Sequence, residues 1–271
     1  MKVLIVADVH LDFWRDAGRD PFGALDPEDW SGLQAVIIAG DLTNKPRVRW
    51  KYAIRHLSQY ISPERIHIIP GNHDYYDFRI DGDDRLAAIA AAEGACFAQK
   101  AEIVIGHTRF LCCTLWTDFA LHGDVRGSQE IARAKMNDYR YIRIAGAGFR
   151  KVRPHETAII HLDHLNWLQD RLSHPHTGPT VVVTHHCPDP SLISAIPSDL
   201  DPVYGSDLIG LIARRQPDAW FFGHTHRLNE AMVGKTLVRN VSLGYPEQVP
   251  AGTEAQILRR GLIDFHNPEQ R

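Results

Sequence analysis

Five short segments of the sequence concentrate the residue types that bind transition metals. They are Asp8-Val9-His10, Gly40-Asp41, Gly71-Asn72-His73-Asp74, His185-His186 and Gly223-His224-Thr225-His226. Carboxylate oxygen combined with imidazole nitrogen suits divalent Mn, Fe or Zn better than Ca or Mg. In the first and last segments the paired residues are two positions apart, so in extended backbone both would project to the same side. The segments therefore predict a metal centre.

The number of candidate ligands indicates more than one ion. Seven residues qualify: Asp8, His10, Asp41, Asn72, His185, His224 and His226. One four-coordinate ion would leave several of them unused, whereas two ions that share a bridging carboxylate would use them all. Two metals about 3.5–4 Å apart are a known device of phosphoryl chemistry, because they contact both the attacking and the leaving oxygen.

Each segment directly follows a short apolar run, at residues 3–7, 35–39, 66–69, 180–184 and 219–222. Runs of aliphatic and β-branched residues bounded by Gly, Pro or Asp are typical of buried strands. Residues just beyond such strands lie at the carboxyl edge of an open α/β sheet, where ligands usually bind. Helices are predicted at 49–60, 84–94, 156–172 and 206–215, and closing strands at 236–241 and 256–265.

The ordered set D-x-H, G-D, G-N-H-D, H and G-H-x-H, which extends from residue 8 to residue 226, resembles the calcineurin-like metallophosphoesterase superfamily. This resemblance implies an α/β fold, a four-layer α/β/β/α sandwich in which helices flank two packed mixed β-sheets. It also implies a dinuclear site at one edge of the sandwich, occupied by two divalent or mixed-valence ions of Mn, Fe or Zn.

Residue by residue, the resemblance divides the ligands between two ions. The first would take Asp8, His10, Asp41 and His226, and the second Asp41 as the bridge with Asn72, His185 and His224. His73 matches the histidine that protonates the leaving group, and Asp74 the acid that orients it. His186 is the alternative to His185 as a ligand. The first histidine of H-H-x-P coordinates in the family, so His186 is expected to face the substrate from the rim.

The activity implied by the resemblance is metal-assisted hydrolysis of a phosphate ester. A hydroxide that bridges the metals would attack phosphorus while His73 protonates the departing oxygen. Asn72 would also contact the substrate and help to stabilise charge on its phosphoryl oxygens. The complete motif set is closest to class III cyclic-nucleotide and broad-specificity phosphodiesterases, so a small-molecule phosphodiesterase is favoured. A phosphomonoesterase or a nuclease of the same superfamily is the alternative. A non-catalytic scaffold with this fold is the alternative of another class, which the complete ligand set disfavours.

Composition limits the partners and the location. A chain of 271 residues with 44% hydrophobic residues can bury a full core, and residues 1–271 are predicted to form one domain. A net charge of -3 and a pI of about 6.6 provide no overall basic field, which disfavours nucleic acid as a partner. No apolar run is long enough to span a bilayer. The four cysteines lack metal-binding spacing, which favours reduced thiols in the cytoplasm.

Two inserts, at about 11–32 and 117–155, are expected to cap the site, because loops over a rigid sheet edge carry specificity. The second contains Arg140 and Arg143, which are predicted to bind the substrate phosphate. The aromatic side chains of Tyr139, Tyr141 and Phe149 are interleaved and would stack on a base or an aryl group. The other interpretation is a solvated loop or a homodimer contact.

Overall fold

The computed structural model describes residues 2–264. Within that range the chain forms thirteen strands: β1 (Lys2–Val6), β2 (Leu33–Ala39), β3 (Ile66–Ile69), β4 (Cys96–Phe97), β5 (Ala101–Ile105), β6 (Thr108–Cys113), β7 (Arg143–Ile144), β8 (Arg150–Lys151), β9 (Thr180–Thr184), β10 (Ala219–Phe222), β11 (Glu230–Val233), β12 (Thr236–Asn240) and β13 (Leu262–Asp264). All five strands predicted before the candidate ligands are present, because continuous apolar runs suit strands buried on both faces.

The helices of the described range are α1 (Leu11–Asp16), α2 (Pro27–Trp30), α3 (Pro46–Leu57), α4 (Asp83–Ala92), α5 (Val125–Lys135), α6 (Asp138–Tyr141), α7 (Pro154–Ser173), α8 (Asp201–Tyr204), α9 (Ile209–Arg215) and α10 (Glu254–Arg259). The four predicted helices correspond to α3, α4, α7 and α9. Helix α9 begins three residues later than predicted, and the hydroxyl of Ser206 instead donates to Asp118 Oδ1 at 2.9 Å. None of the helices between residues 2 and 264 combines the length and apolar composition that a membrane span requires.

The strands build two large mixed sheets. The first has the order β13-β1-β2-β3-β4, with β1 to β4 parallel and β13 antiparallel at one edge. The second has the order β11-β12-β10-β9-β6-β5, in which the four central strands are parallel and both edge strands antiparallel. Strands β7 and β8 form a separate two-stranded ribbon within the second insert.

Three apolar layers hold the sheets and helices together. The layer between the sheets contains Val3, Ile5 and Ile37 from the first sheet and Phe110, Val183 and Phe221 from the second. Alternate residues of the same strands face outward: those of the first sheet pack with α1, α3 and α4, and those of the second with α7 and α9. This alternation follows from the two-residue period of a strand. The predicted four-layer sandwich is confirmed.

One predicted strand is wrong in its first half. Residues 256–259 of the predicted strand belong instead to α10, and the strand is limited to Leu262–Asp264. The Arg259 guanidinium binds Asp26 at 2.6 Å and Asp29 at 2.7 Å, which anchors the helix to the first insert. Phe265, the last residue of the predicted strand, lies outside the described residues.

The layer between the sheets predicts which side chains lower the free energy of unfolding most when they are replaced by alanine. Phe221 is 1% exposed in this layer, whereas Met232 on the edge strand β11 is 60% exposed. We expect Phe221→Ala to lower the free energy of unfolding by about 3–5 kcal/mol, because it removes buried contacts and leaves a cavity. Met232→Ala should change it by less than about 0.5 kcal/mol. Urea unfolding followed by circular dichroism measures both, and equal effects would contradict the layer assignment.

Candidate metal centre

The seven candidate ligands converge where the strands of both sheets end. His226 Nε2 lies 3.1 Å from Asp8 Oδ1 and 3.3 Å from His10 Nε2. His10 Nε2 in turn lies 3.8 Å from Asp41 Oδ2. The donor atoms of Asp8, His10 and His226 are all within 4.8 Å of one another. These residues form one half of the cluster.

The other half is built around the second oxygen of Asp41. His185 Nε2 lies 3.6 Å from Asp41 Oδ1 and 2.9 Å from Asn72 Oδ1. The donor atoms of Asp41, His185 and His224 lie within 4.8 Å of one another. The two oxygens of Asp41 therefore face different donor groups, which is the arrangement that a bridging carboxylate requires.

The donor set fits divalent cations. The buried His224 Nε2 and His10 Nδ1 have no hydrogen-bond partner within the described part of the chain. Burial lowers the pKa of His10, His185 and His224 and keeps their rings neutral, which is the form that binds metal. Burial, together with the charges of Asp8 and Asp74, raises the pKa of Asp41 well above its usual value. A cation next to Asp41 would offset that cost.

Asp8 is held in its charged form by direct contacts. Its Oδ2 accepts the His224 N–H at 2.8 Å and the Ser242 hydroxyl at 2.6 Å. Burial would raise the pKa of Asp8, but the adjacent His226 holds it well below the usual value. The pKa of His226 is raised, because the attraction of Asp8 outweighs the burial of the ring. The positive charge that this favours on His226 offsets part of the negative charge of the carboxylates in the cluster.

The backbone at the ligands is strained. Five of the seven have left-handed φ angles, with 51° at Asp8, 43° at His10, 59° at Asp41, 65° at His224 and 51° at His226. Such conformations cost of order 1–3 kcal/mol each in residues other than glycine and concentrate at functional sites. The extended backbone expected in the D-x-H and H-x-H pairs is therefore wrong. The side chains converge instead because the chain turns sharply at each ligand.

Two glycines of the motifs permit this convergence. A Cβ atom on Gly40 would overlap the ring of His185, and one on Gly71 would overlap the carboxylate of Asp41. Any side chain at these positions would push a candidate ligand out of the cluster. Both glycines are therefore required by close approach, and Gly40 also by its left-handed φ of 94°.

The contact expected between Asp74 and His73 is replaced by others. Asp74 is fully buried and accepts hydrogen bonds from the backbone N–H groups of Leu42, Thr43 and Gly71 and from Trp50 Nε1. The His73 ring is oriented instead by Asn44, whose Oδ1 lies 2.9 Å from His73 Nδ1. Asn44 is only three residues after Asp41, on the same loop. Burial lowers the pKa of His73 to about 3 in this environment.

His186 is buried rather than at the rim. Its Nδ1 lies 3.2 Å from the Thr114 carbonyl oxygen, and its ring packs against those of Trp116 and His224. The structure therefore places His186 behind His224, where it supports a candidate ligand. The expected position facing the substrate is not the one observed.

A cavity of about 520 Å³, which we call the reaction cavity, opens over the cluster. The second insert contributes Lys135, Met136 and Asn137 to its wall. Arg140 and Arg143 are exposed elsewhere on the insert and donate to the backbone carbonyls of Ala134 and Phe149. The structure therefore brings this insert to the site through residues other than the two predicted arginines.

Sequence reasoning missed the residues that hold Asn72. The Asn72 Nδ2 donates to Asp138 Oδ1 at 2.8 Å, and the Tyr76 hydroxyl donates to the same oxygen at 2.6 Å. All three side chains are buried. With Nδ2 fixed in this way, Asn72 Oδ1 faces His185 and the cluster. The only sequence signal was Asp138 itself, the acid that precedes the arginine-rich part of the insert.

Comparison with solved structures supports the fold. The phosphopantetheinyl hydrolase PptH of Mycobacterium tuberculosis is 15% identical, with a TM-score of 0.70 over 100% of this chain and 98% of that one. The protein TT1561 of Thermus thermophilus is 14% identical, with a TM-score of 0.45 over 89% and 88%. Vacuolar protein sorting 29 of Cryptosporidium parvum is 11% identical, with a TM-score of 0.34 over 92% and 79%. At these identities only the PptH comparison is informative, and it concerns the fold alone.

Sequence comparison identifies the family. No curated protein matches the chain at a significant level. The family model described as calcineurin-like phosphoesterase, however, matches residues 1–228, a range that contains every candidate ligand. This match confirms the resemblance found in the motifs. The chain is a member of the calcineurin-like phosphoesterase family.

Proposed function

We propose that this protein is a metal-dependent hydrolase of small phosphodiesters. The observation that carries the proposal is the position of Asp41, whose two carboxylate oxygens face two separate groups of buried donors. One ion would be held by Asp8, His10, Asp41 and His226, and the other by Asp41, Asn72, His185 and His224. When bound, Mn, Fe or Zn ions would supply Lewis acidity to water and to the phosphoryl oxygens.

His73 is the residue proposed to protonate the leaving oxygen. Asn44 Oδ1 can only accept a hydrogen bond, so the contact at 2.9 Å favours the form of the ring that carries a proton on His73 Nδ1. His73 Nε2 then faces the substrate and can donate only from the doubly protonated ring. Burial disfavours that form, and the negative charge of a bound phosphate ester would favour it. Asn44 thus performs the orienting role that the sequence argument assigned to Asp74.

The charge of the reaction cavity supports a diester. Apart from the candidate ligands and His73, the charged side chains on its wall are Lys135 and Asp201, among the described residues. A monoester carries about two negative charges at neutral pH and is typically bound by several cations. A diester carries a single charge, which this wall suits better. Contact of Arg140 and Arg143 with substrate stays a prediction.

We further propose that residues 1–271 form one domain, with the second insert as part of the site. Asp138 of this insert binds Asn72, and Lys135 lines the reaction cavity. Met1 and residues 265–271 lie outside the described residues. A cytoplasmic location and a homodimer stay predictions from the sequence.

Metal removal tests the proposed function. We expect the stripped protein to lose activity and added Mn²⁺ to restore it. The restored protein should hydrolyse bis(p-nitrophenyl) phosphate with a kcat/KM at least about tenfold above that for p-nitrophenyl phosphate, a difference of about 1.4 kcal/mol in transition-state binding. Phosphopantetheinyl esters belong in the same panel, because the solved structure with a similar fold is a phosphopantetheinyl hydrolase. Monoester preference would indicate a phosphomonoesterase, DNA preference a nuclease, and no turnover a scaffold.

The role of His73 predicts dependence on the leaving group. For diesters with poor leaving groups, His73→Ala should lower kcat by about 10²–10⁴-fold, because proton donation is lost. Nitrophenyl esters should be affected much less, since nitrophenolate departs without a proton. His174→Ala, a substitution of an exposed histidine, is the control. Equal losses for both classes of ester, at unchanged metal content, would remove His73 from the acid role.

The contact between Asp138 and Asn72 predicts an effect on metal affinity. Asp138→Asn should weaken Mn²⁺ binding about 10–100-fold, because a neutral amide oxygen is a weaker acceptor than the carboxylate and holds Asn72 less firmly. Calorimetric titration of the stripped protein measures the affinity directly. Asp163→Asn, which removes an exposed carboxylate paired with Lys100, should leave it unchanged. An unchanged affinity in Asp138→Asn would show that Asn72 keeps its orientation without this carboxylate.

A further inference from the structure

A second cavity lies beside His73, where the two inserts meet. It has a volume of about 380 Å³, and we call it the leaving-group cavity. Phe13 of the first insert and Tyr141 of the second both line it, together with Asn44 and Tyr76. Among the described residues that line this cavity there is none of the seven candidate ligands. The leaving-group cavity is therefore distinct from the metal-binding cluster.

Two contacts connect this cavity to the reacting centre. Asn44, on its wall, is the residue that binds His73 Nδ1. Tyr76 lines both cavities, and its ring stacks on that of His73 with centroids 4.2 Å apart. On the other side, a nitrogen of His73 lies within 4.8 Å of donor atoms of His10 and Asp41. His73 therefore stands between the metal centre and the leaving-group cavity, where a proton donor to the leaving oxygen must lie.

The walls of this cavity offer aromatic surface. Phe13 is 40% exposed and Tyr141 47% exposed, although large aromatic side chains usually bury most of their surface. Tyr141 lies next to Tyr76, with ring centroids 5.6 Å apart. Exposed rings around a concave site stack on planar ligands, with about 1–3 kcal/mol for each stacked base.

The charges of the cavity exclude a strongly anionic occupant. Its two cations are already paired, Arg49 with Asp12 and Lys45 with Asp77, the latter at 3.6 Å. Asp16 adds a third carboxylate, so three acids against two cations leave a formal charge of -1. A nucleoside polyphosphate would be repelled here, whereas a neutral ring would not.

We infer that the leaving-group cavity binds the alcohol portion of the substrate, and that this portion is a neutral planar ring such as a nucleoside or an aryl alcohol. The inference rests on the proposed phosphodiesterase function. In the reaction, water oxygen bonds to phosphorus and the bond from phosphorus to the alcohol oxygen breaks. The departing oxygen keeps the electron pair and takes a proton from Nε2 of the doubly protonated His73 ring. The proton released by the attacking water balances the one that His73 gives up. The products are a phosphate monoester and the free alcohol.

The kinetic test compares aromatic residues inside and outside this cavity. Tyr141→Leu and Phe13→Leu remove a ring but keep apolar bulk, and Tyr52→Leu is the control, because Tyr52 is 50% exposed on α3 outside this cavity. With the Mn²⁺-loaded protein, KM for bis(p-nitrophenyl) phosphate should rise about fivefold or more in the first two variants, at nearly constant kcat. The control should match the parent protein.

A binding test without turnover separates the two proposals. Saturation-transfer NMR of adenosine with the Zn²⁺-loaded protein should show binding that Tyr141→Leu abolishes and Tyr52→Leu retains. A KM effect without adenosine binding identifies an aryl group as the occupant, and binding of adenosine identifies a nucleoside. If the esters are hydrolysed but KM and the adenosine signal are unchanged in all variants, the inference about the leaving-group cavity is overturned and the proposed function stands. If no ester is hydrolysed, the proposed function fails, and adenosine binding that Tyr141→Leu abolishes still supports a ring-binding cavity.

Discussion

The burial of two neighbouring carboxylates, Asp8 and Asp41, is the constraint on which this end of the molecule depends. Removing a charged group from water costs several kcal/mol even after relaxation, and the two charges repel each other. Part of that cost is offset by hydrogen bonds, from the His73 N–H to Asp41 and from the His224 N–H and Ser242 hydroxyl to Asp8. These donors come from loops after different strands. The carboxylates therefore fix the loops relative to one another, and bound cations would supply the remaining compensation.

Asp74 fixes the other side of the same site. Its oxygens accept from backbone on the loop after β2, from Gly71 after β3 and from the indole of Trp50 on α3. Burial raises its pKa to about 6, although these hydrogen bonds favour the charged form. The residue thus ties the loop of Asp41 to the loop of Asn72, and its effect on His73 acts through the backbone. A direct contact with the ring is unnecessary, because Asn44 provides it.

The sequence predicted those features that residue type alone determines. Apolar runs of four or five residues identified β2, β3, β9 and β10, because both faces of a central strand are buried. Metal-binding residue types after these runs marked the candidate ligands. Features that depend on tertiary contacts were not predictable. The left-handed backbone at Asp8 and His10 is one such feature, since no local pattern encodes it. Another is α10, because the apolar pattern of Ala255, Ile257 and Leu258 is compatible with a strand and with a helix almost equally.

The second insert shows why substrate contacts were the least predictable part of the site. Arg140 and Arg143 were predicted to bind the substrate because guanidinium groups suit phosphate. In the structure they donate instead to backbone carbonyls of their own insert. The short helix α6 instead places Asp138 and Tyr141 three residues apart, a spacing that keeps side chains on neighbouring parts of one helix face. Asp138 orients Asn72, and Tyr141 lines the leaving-group cavity. One turn of helix thus joins a candidate ligand to the substrate wall. A backbone change that moves this turn would therefore alter substrate fit and the metal centre together, whereas replacement of the Tyr141 side chain alone would alter only substrate fit.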